Sequence, residues 1–369
     1  MCHLIKLRLG LILDSIGGRK MKTRVVVLVL FGSLLYSGSG VAEENKDDKH
    51  KWFADALLRY EDETGSIGIK DRERMRVIAH AGVKSHWAAN WSSTLRLSTG
   101  LKNKQNVPAI TVHRFSEQPQ PDSDIFIERA FVTGKFETFS VNLGKIPWGS
   151  KQITDMFWDR HLNPIGFSSN INIAAGHVLH ISHFKPLDGA SATIGDMSIV
   201  QWQFKYSYDN VDFAIMPWWV KFNGETGATY AKKDTSVDNE FYRISAYMKS
   251  GKWRLGTDIG KGDPKISDAV KADEDTSFAV ELRHGGLKKV GAILTQFRVF
   301  KVEKYSVVGE FAQNAVARYA TNNIEGWDLR VRKKMSPKWW LGMRYSDTEA
   351  IIGSEQKGKR FRIEAKYNF

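Results

Sequence analysis

The sequence predicts an all-β fold, a transmembrane antiparallel β-barrel of about 16 strands, from three observations. Past residue 50 the dominant hydrophobic period is two, the period of a strand whose side chains alternate between faces. No segment reaches the ~18 consecutive apolar residues that a spanning helix requires. Mean hydropathy is −0.36, which excludes a helical membrane protein but not a barrel, whose alternation averages out. Finally, the connections between alternating segments switch between tight and long, the arrangement of short periplasmic turns and long outer loops.

The closing segment shows the period most clearly. Phe361, Ile363, Ala365, Tyr367 and Phe369 fall on one face, and Arg360, Arg362, Glu364, Lys366 and Asn368 on the other. Val200, Trp202, Phe204, Tyr206 and Tyr208 alternate with Gln201, Gln203, Lys205 and Ser207, and Trp327, Leu329 and Val331 with Asp328, Arg330 and Arg332. Read this way, the strands run over 52–61, 73–84, 91–99, 124–134, 137–147, 165–173, 177–185, 198–208, 211–220, 240–250, 252–260, 276–284, 289–299, 324–334, 338–346 and 358–369. An even count agrees with a single-chain bacterial barrel that has both termini on one side. That parity assigns Tyr305–Gln313, itself strand-like, to a long outer loop. Asp209-Asn210, Gly251 and Met335–Lys338 read as tight turns, and the stretches near 222–238, 261–274 and 347–358 as long loops. Tyr208, Trp253, Trp339 and Tyr367 lie beside tight turns or the C-terminus, where a ring of aromatics suits a membrane interface.

The start of the chain reads as an export leader. Lys22 and Arg24 precede an apolar run from Val25 to Tyr36, and small residues lead to Val41-Ala42. This is the charged, apolar, small-residue layout of a cleaved signal peptide. The expected division is therefore an extended start and signal peptide over 1–42, a short charged lead-in over 43–51, and the barrel over 52–369. The leader holds Lys6, Arg8, Arg19, Lys20, Lys22 and Arg24 against Asp14, so its loss takes the formal charge from +13 to +8. It also removes Cys2, the one cysteine, leaving no thiol for disulfides or metal. Export and a barrel together place the chain in the cell outer membrane of a Gram-negative bacterium, with outer-membrane lipid as its partner.

A basic chain can meet nucleic acid, but here lysine and arginine are dispersed among apolar residues with no nucleic-acid motif. Around a lumen wide enough for water, the inward positions would include Arg74, Arg76, Arg96, Lys205, Arg243, Arg254, Arg283, Arg330, Arg332, Arg344, Arg360 and Arg362. Fewer acids share that face, namely Asp212, Asp258, Glu281, Asp328 and Glu364. A mostly basic wall favours anions, unless the arginines pair with acids or are screened over a Debye length of about 8 Å. Arg330, Arg332, Arg344, Arg360 and Arg362 lie on three adjacent strands and form the strongest patch. The segment Trp148–Pro164, with Asp155, Trp158, Asp159, Arg160 and His161, either folds inward to narrow the pore or remains an outer loop. His177 and His183 share a strand face that His180 does not, which argues against a shared metal site. Gly-x-Ser-x-Gly, His-Glu-x-x-His and phosphate-loop motifs are missing from the sequence, so no enzyme and no cofactor are expected.

The mature chain resembles a bacterial porin family of outer-membrane β-barrel channels. The resemblance is carried by Glu128-Arg129-Ala130-Phe131-Val132, Leu143-Gly144-Lys145-Ile146-Pro147, Phe157-Trp158-Asp159, Leu162-Asn163-Pro164 and Gly166. The C-terminal Tyr367-Asn368-Phe369 resembles the terminal aromatic signal read by the barrel assembly machinery. The resemblance implies passage of small hydrophilic solutes or ions, and for wide porins a homotrimer. Family members carry further acids after the residue matching Asp159, where this chain has Arg160 and His161, so ion preference does not transfer. The alternatives are a solute-specific channel, a structural or adhesive barrel without an open pore, and a soluble exported sandwich.

Overall fold

The computed structural model describes residues 49–65, 71–100, 108–115, 123–185, 195–223, 238–264, 274–309, 311–313, 316, 321–353 and 356–369. The expected leader and most of the lead-in lie outside them. The strands are β1 (His50–Gly65), β2 (Arg72–Ala88), β3 (Trp91–Gly100), β4 (Ile110–Arg114), β5 (Asp124–Lys135), β6 (Phe139–Lys145), β7 (Ile165–Ala174), β8 (His177–Lys185) and β9 (Asp196–Tyr208). They continue with β10 (Val211–Asn223), β11 (Asp238–Ser250), β12 (Trp253–Pro264), β13 (Thr276–Gly285), β14 (Ile293–Val302), β15 (Ile324–Lys334), β16 (Trp339–Ala350) and β17 (Lys357–Asn368).

Each long strand pairs antiparallel with its neighbours, and β17 pairs back onto β1 from Asp55↔Asn368 to Gly65↔Gly358. The sheet is thus a closed barrel of 16 strands, with β4 as a short seventeenth segment. Closure leaves no open edge, the condition for placing a sheet's backbone in hydrocarbon. Strand β4 was not expected. It pairs with the first part of β2 at Arg74–Val77, before the point where β3 begins to pair with it at His80, and its five residues are too short to show a period.

One end of the barrel carries the tight connections. Asp209-Asn210 joins β9 to β10 and Gly251-Lys252 joins β11 to β12, with Asp209 at φ 50° and Gly251 at φ 53°. Two-residue hairpins favour these left-handed conformations, which glycine and aspartate adopt more readily than most residues. Tyr208 and Trp253 are exposed on the outer face beside these turns.

Some expected boundaries change. Strand β14 begins at Ile293 rather than 289, because Gly291 is at φ 83° and Ala292 N–H bonds Lys289 O, forming a turn. The connection near 347–358 is short, since β16 continues to Ala350 and β17 starts at Lys357. Strand β12 likewise runs on to Pro264. These extensions alternate polar residues on both faces, so they carry no hydrophobic period to read.

Along β10, Phe213 and Ile215 point outward and exposed, while Ala214, Met216, Trp218, Val220 and Phe222 are buried inside. Outward apolar side chains recur around the barrel, among them Leu255, Ile259, Phe278, Leu282, Phe297 and Leu329. Such a band would be a liability in water and suits a lipid environment.

Candidate functional site

The segment Trp148–Pro164 lies within the barrel, fastened to inward side chains of widely separated strands. Asp258 on β12 is its main anchor. The carboxylate accepts bonds from Ile153 N–H (3.0 Å), Thr154 N–H (2.6 Å) and the Thr154 hydroxyl (2.7 Å). Ser245 on β11 donates a further bond to Asp258 at 2.5 Å. On β9, Gln201 accepts from Lys151 N–H and donates to Lys151 O, both at 2.7 Å. Arg298 on β14 donates to Asp155 at 2.9 Å. At the far end, Arg129 donates to Asn163 at 2.7 Å.

A second inward segment, after β14, holds the first in place. Asp159 N–H bonds Phe311 O at 2.7 Å, and Ser346 on β16 donates to Val316 O at 3.0 Å. Trp158 is fully buried, stacked on Trp148 at 4.3 Å between centroids and packed against Phe184 and Phe311. Phe157 meets Trp218 and Phe241 edge-on. Inward residues of β8 to β14 that read as polar-face positions are therefore apolar here because loops cover them.

The opposite wall is charged. Glu61 on β1 is fully buried and pairs with Arg74 (2.7 Å), Arg362 (3.0 Å), Arg59 (3.3 Å) and Arg76 (3.3 Å). Glu63 pairs with Arg72 at 2.5 Å and Arg360 at 2.6 Å. Arg59 also bonds Glu364 at 2.8 Å, and Arg344 bonds Asp328. A buried charge is tolerable only when paired and hydrogen-bonded, and this lattice meets that condition for most of its members.

Between the loop and this wall lies a cavity of about 290 Å³. Among the described residues, eight cations line it (Arg59, Arg76, Arg160, Arg330, Arg332, Arg344, Arg362 and Lys366) against the carboxylates of Asp55, Asp155, Asp159 and Glu364. Burial pushes the Asp155 carboxyl up, but the guanidiniums of Arg298, Arg160, Arg344 and Arg330 outweigh it and hold the group well below the usual carboxylate range. Burial, followed by Arg160, Arg59 and His80, pushes His161 well below the ordinary imidazole value. The loop thus presents an ionised Asp155 and a neutral His161 at neutral pH.

Of the residues expected to face inward, Arg76, Arg330, Arg332, Arg344, Arg362 and Glu364 meet at this cavity with Asp155, Asp159 and Arg160. The others lie elsewhere. Arg96 pairs with Glu128 at 2.5 Å, and Arg360 is taken up by Glu63. Arg243 stacks on Phe157 at 4.4 Å, behind the loops. Arg254 bonds Glu281, which also meets Arg298, and Arg283 sits opposite Arg254 in register. Lys205 is exposed near the tight-turn end. Trp158 belongs to the apolar packing and does not line the cavity. His180 points inward onto Asn170 (3.0 Å), while His183 is exposed beside Ser198. Sequence reasoning missed Arg59, Glu61 and Arg298. A signal existed on β1, where Asp55, Arg59, Glu61 and Glu63 share one parity interrupted only by Leu57.

A closed antiparallel barrel of 16 strands with loops folded inward is the architecture of the outer-membrane porins. In fold the chain is similar to the solved high-pH structure of Pseudomonas putida OprB, with TM-score 0.58 and 9% identity over 87% of this chain and 94% of that one. It is similar to Acinetobacter baumannii OccAB4 at TM-score 0.52 and 9% identity, covering 89% of this chain and all of that one. A triple mutant of the Rhodopseudomonas blastica porin gives TM-score 0.51 and 7% identity, over 86% of this chain and all of that one. No family model and no curated protein matches the chain by sequence. The likeness therefore concerns the fold.

Proposed function

We propose that the chain is an outer-membrane porin of a Gram-negative bacterium that lets small hydrophilic solutes diffuse passively, with a preference for anions. The fold it shares with porins supports the channel, and one observation carries the preference: cations outnumber carboxylates around the cavity. Charge rings set the sign of the ion that passes, and enclosure by low-dielectric walls strengthens their field. The test is single-channel conductance in planar bilayers, with the reversal potential read across a salt gradient. An anion-selective potential is expected, and a cation-selective one would overturn the preference while leaving the channel intact. A lack of conductance would favour a structural barrel instead.

The small cavity favours a second reading, a solute-specific channel whose site includes the inward loop. Saturable flux of one solute class, against linear flux of others, separates the two.

A further inference from the structure

We propose that Arg330, Arg332 and Arg160 form a discrete binding site for a small oxyanion, and that this trio sets which anions pass. The proposal rests on the channel reading and narrows it from a basic wall to three guanidiniums.

The starting point is an accounting of ion pairs. Arg344 is matched by Asp328, Arg76 and Arg362 by Glu61, Arg59 by Glu364, and Lys366 by Asp55. Among the described residues, Arg330 and Arg332 are the lining cations with no ion pair of their own. They stand two residues apart on β15, so their side chains leave the same face. Arg330 is 7% exposed, and its Nε is buried with no hydrogen-bond partner. Arg332 donates to the neutral Gln296 at 3.1 Å and lies over the Trp340 ring at 5.2 Å, with its own Nε also unpartnered.

Arg160 comes from the other side. It is half exposed and held by a single 3.4 Å contact to Asp155, whose other oxygen is already bonded to Arg298. Its charge acts on both Arg330 and Arg332. Asp155, Glu364 and Asp328 lie within electrostatic reach of Arg330 or Arg332, but each is bonded to another arginine. Arg160 shares Asp155 with Arg298, and Arg330 and Arg332 have no ion pair of their own, so the three guanidiniums meet one shared carboxylate and leave room for one more negative charge.

The chemistry of the donors indicates its kind. A guanidinium presents N–H groups in a planar fork that matches two oxygens of one acid group. Two forks on one strand face and a third opposite can be bridged by an oxyanion, whereas chloride offers one centre. Lysine would supply equal charge without the fork.

The experiment uses the full chain in planar bilayers with potassium chloride as carrier and inorganic phosphate as probe. Phosphate is expected to block the chloride current, and Arg330→Gln or Arg332→Gln to raise the half-blocking concentration about tenfold, the loss of one charge-assisted contact. Arg332→Lys, which keeps the charge, is expected to hold the reversal potential while still weakening the block. Phosphate that does not block, or a block that these substitutions change by less than about twofold, overturns the site. A cation-selective reversal potential without phosphate block defeats the anion reading and the site together. Anion selectivity without phosphate block defeats the site alone. Calorimetric titration of the detergent-solubilised chain with phosphate tests the site even if no current flows, and absence of binding there overturns it.

Discussion

The inner wall has two halves with opposite chemistry. From β8 to β14 it turns Phe184, Trp218, Phe222, Phe241 and Phe300 inward, and two loops cover them. From β15 through β17 to β2 it turns arginine and glutamate inward and faces the cavity. The difference shows what inward positions demand. Apolar side chains in a water-filled lumen need a lid of protein to be buried at all, whereas charged ones need partners. The first half therefore fixes where the loops lie, and the second leaves the space they do not fill.

The largest test of that division is Asp258→Ala. It frees Ile153, Thr154 and Ser245 from their shared carboxylate, with an expected cost of about 5 kcal/mol from several charge-assisted bonds. Unit conductance should rise several-fold and become noisy, and an unchanged conductance would show that the loop does not narrow the passage. Trp158→Ala attacks the apolar half by leaving a cavity in its cluster, at about 4 kcal/mol. The midpoint of heat-modifiable migration should fall, with reversal potential little changed. Arg344→Ala attacks the charged half by leaving Asp328 with only the more distant Arg298, at about 3 kcal/mol, and should lower both the midpoint and anion selectivity.

A pH series gives a smaller effect. The folded carboxyl of Asp155 titrates below its ordinary value, so its stabilising contribution is present above that value and lost only as pH falls through the depressed one. The loop should therefore stay fastened, and conductance flat, between pH 8 and 5. His161 stays neutral when folded, while the unfolded chain takes up a proton below pH 6.5, so stability should decline slightly as pH drops through that value. A conductance switch between pH 7 and 5 would contradict both assignments. Least of all should change in Lys249→Ala, whose partner Asp212 is exposed near the tight turns, with reversal potential as the check.

The strands were legible because side-chain alternation is local, and parity placed Tyr305–Gln313 among the loops even though its own pattern resembles a strand. The charged patch on β15 to β17 was legible for the same reason. Asp258 was legible as an inward acid but not as the loop's anchor, since what it holds is the backbone of residues 104 and 105 positions earlier, and backbone donors leave no trace in side-chain patterns. Arg298 was obscured because Phe300 and Val302 share its face. Inward apolar residues blur a period that a barrel without inward loops would show cleanly.

The seam between β1 and β17 has a consequence for biosynthesis. Arg59 and Glu364 bond across it although 305 residues separate them, and Phe369 N–H bonds Ala54 O at 3.0 Å. Every other strand can find a neighbour from the chain near it as synthesis proceeds. Strand β1 must keep one flank bare until β17 has been made and delivered. For that interval its open backbone groups can pair with any passing strand, so β1 has to be shielded until β17 arrives.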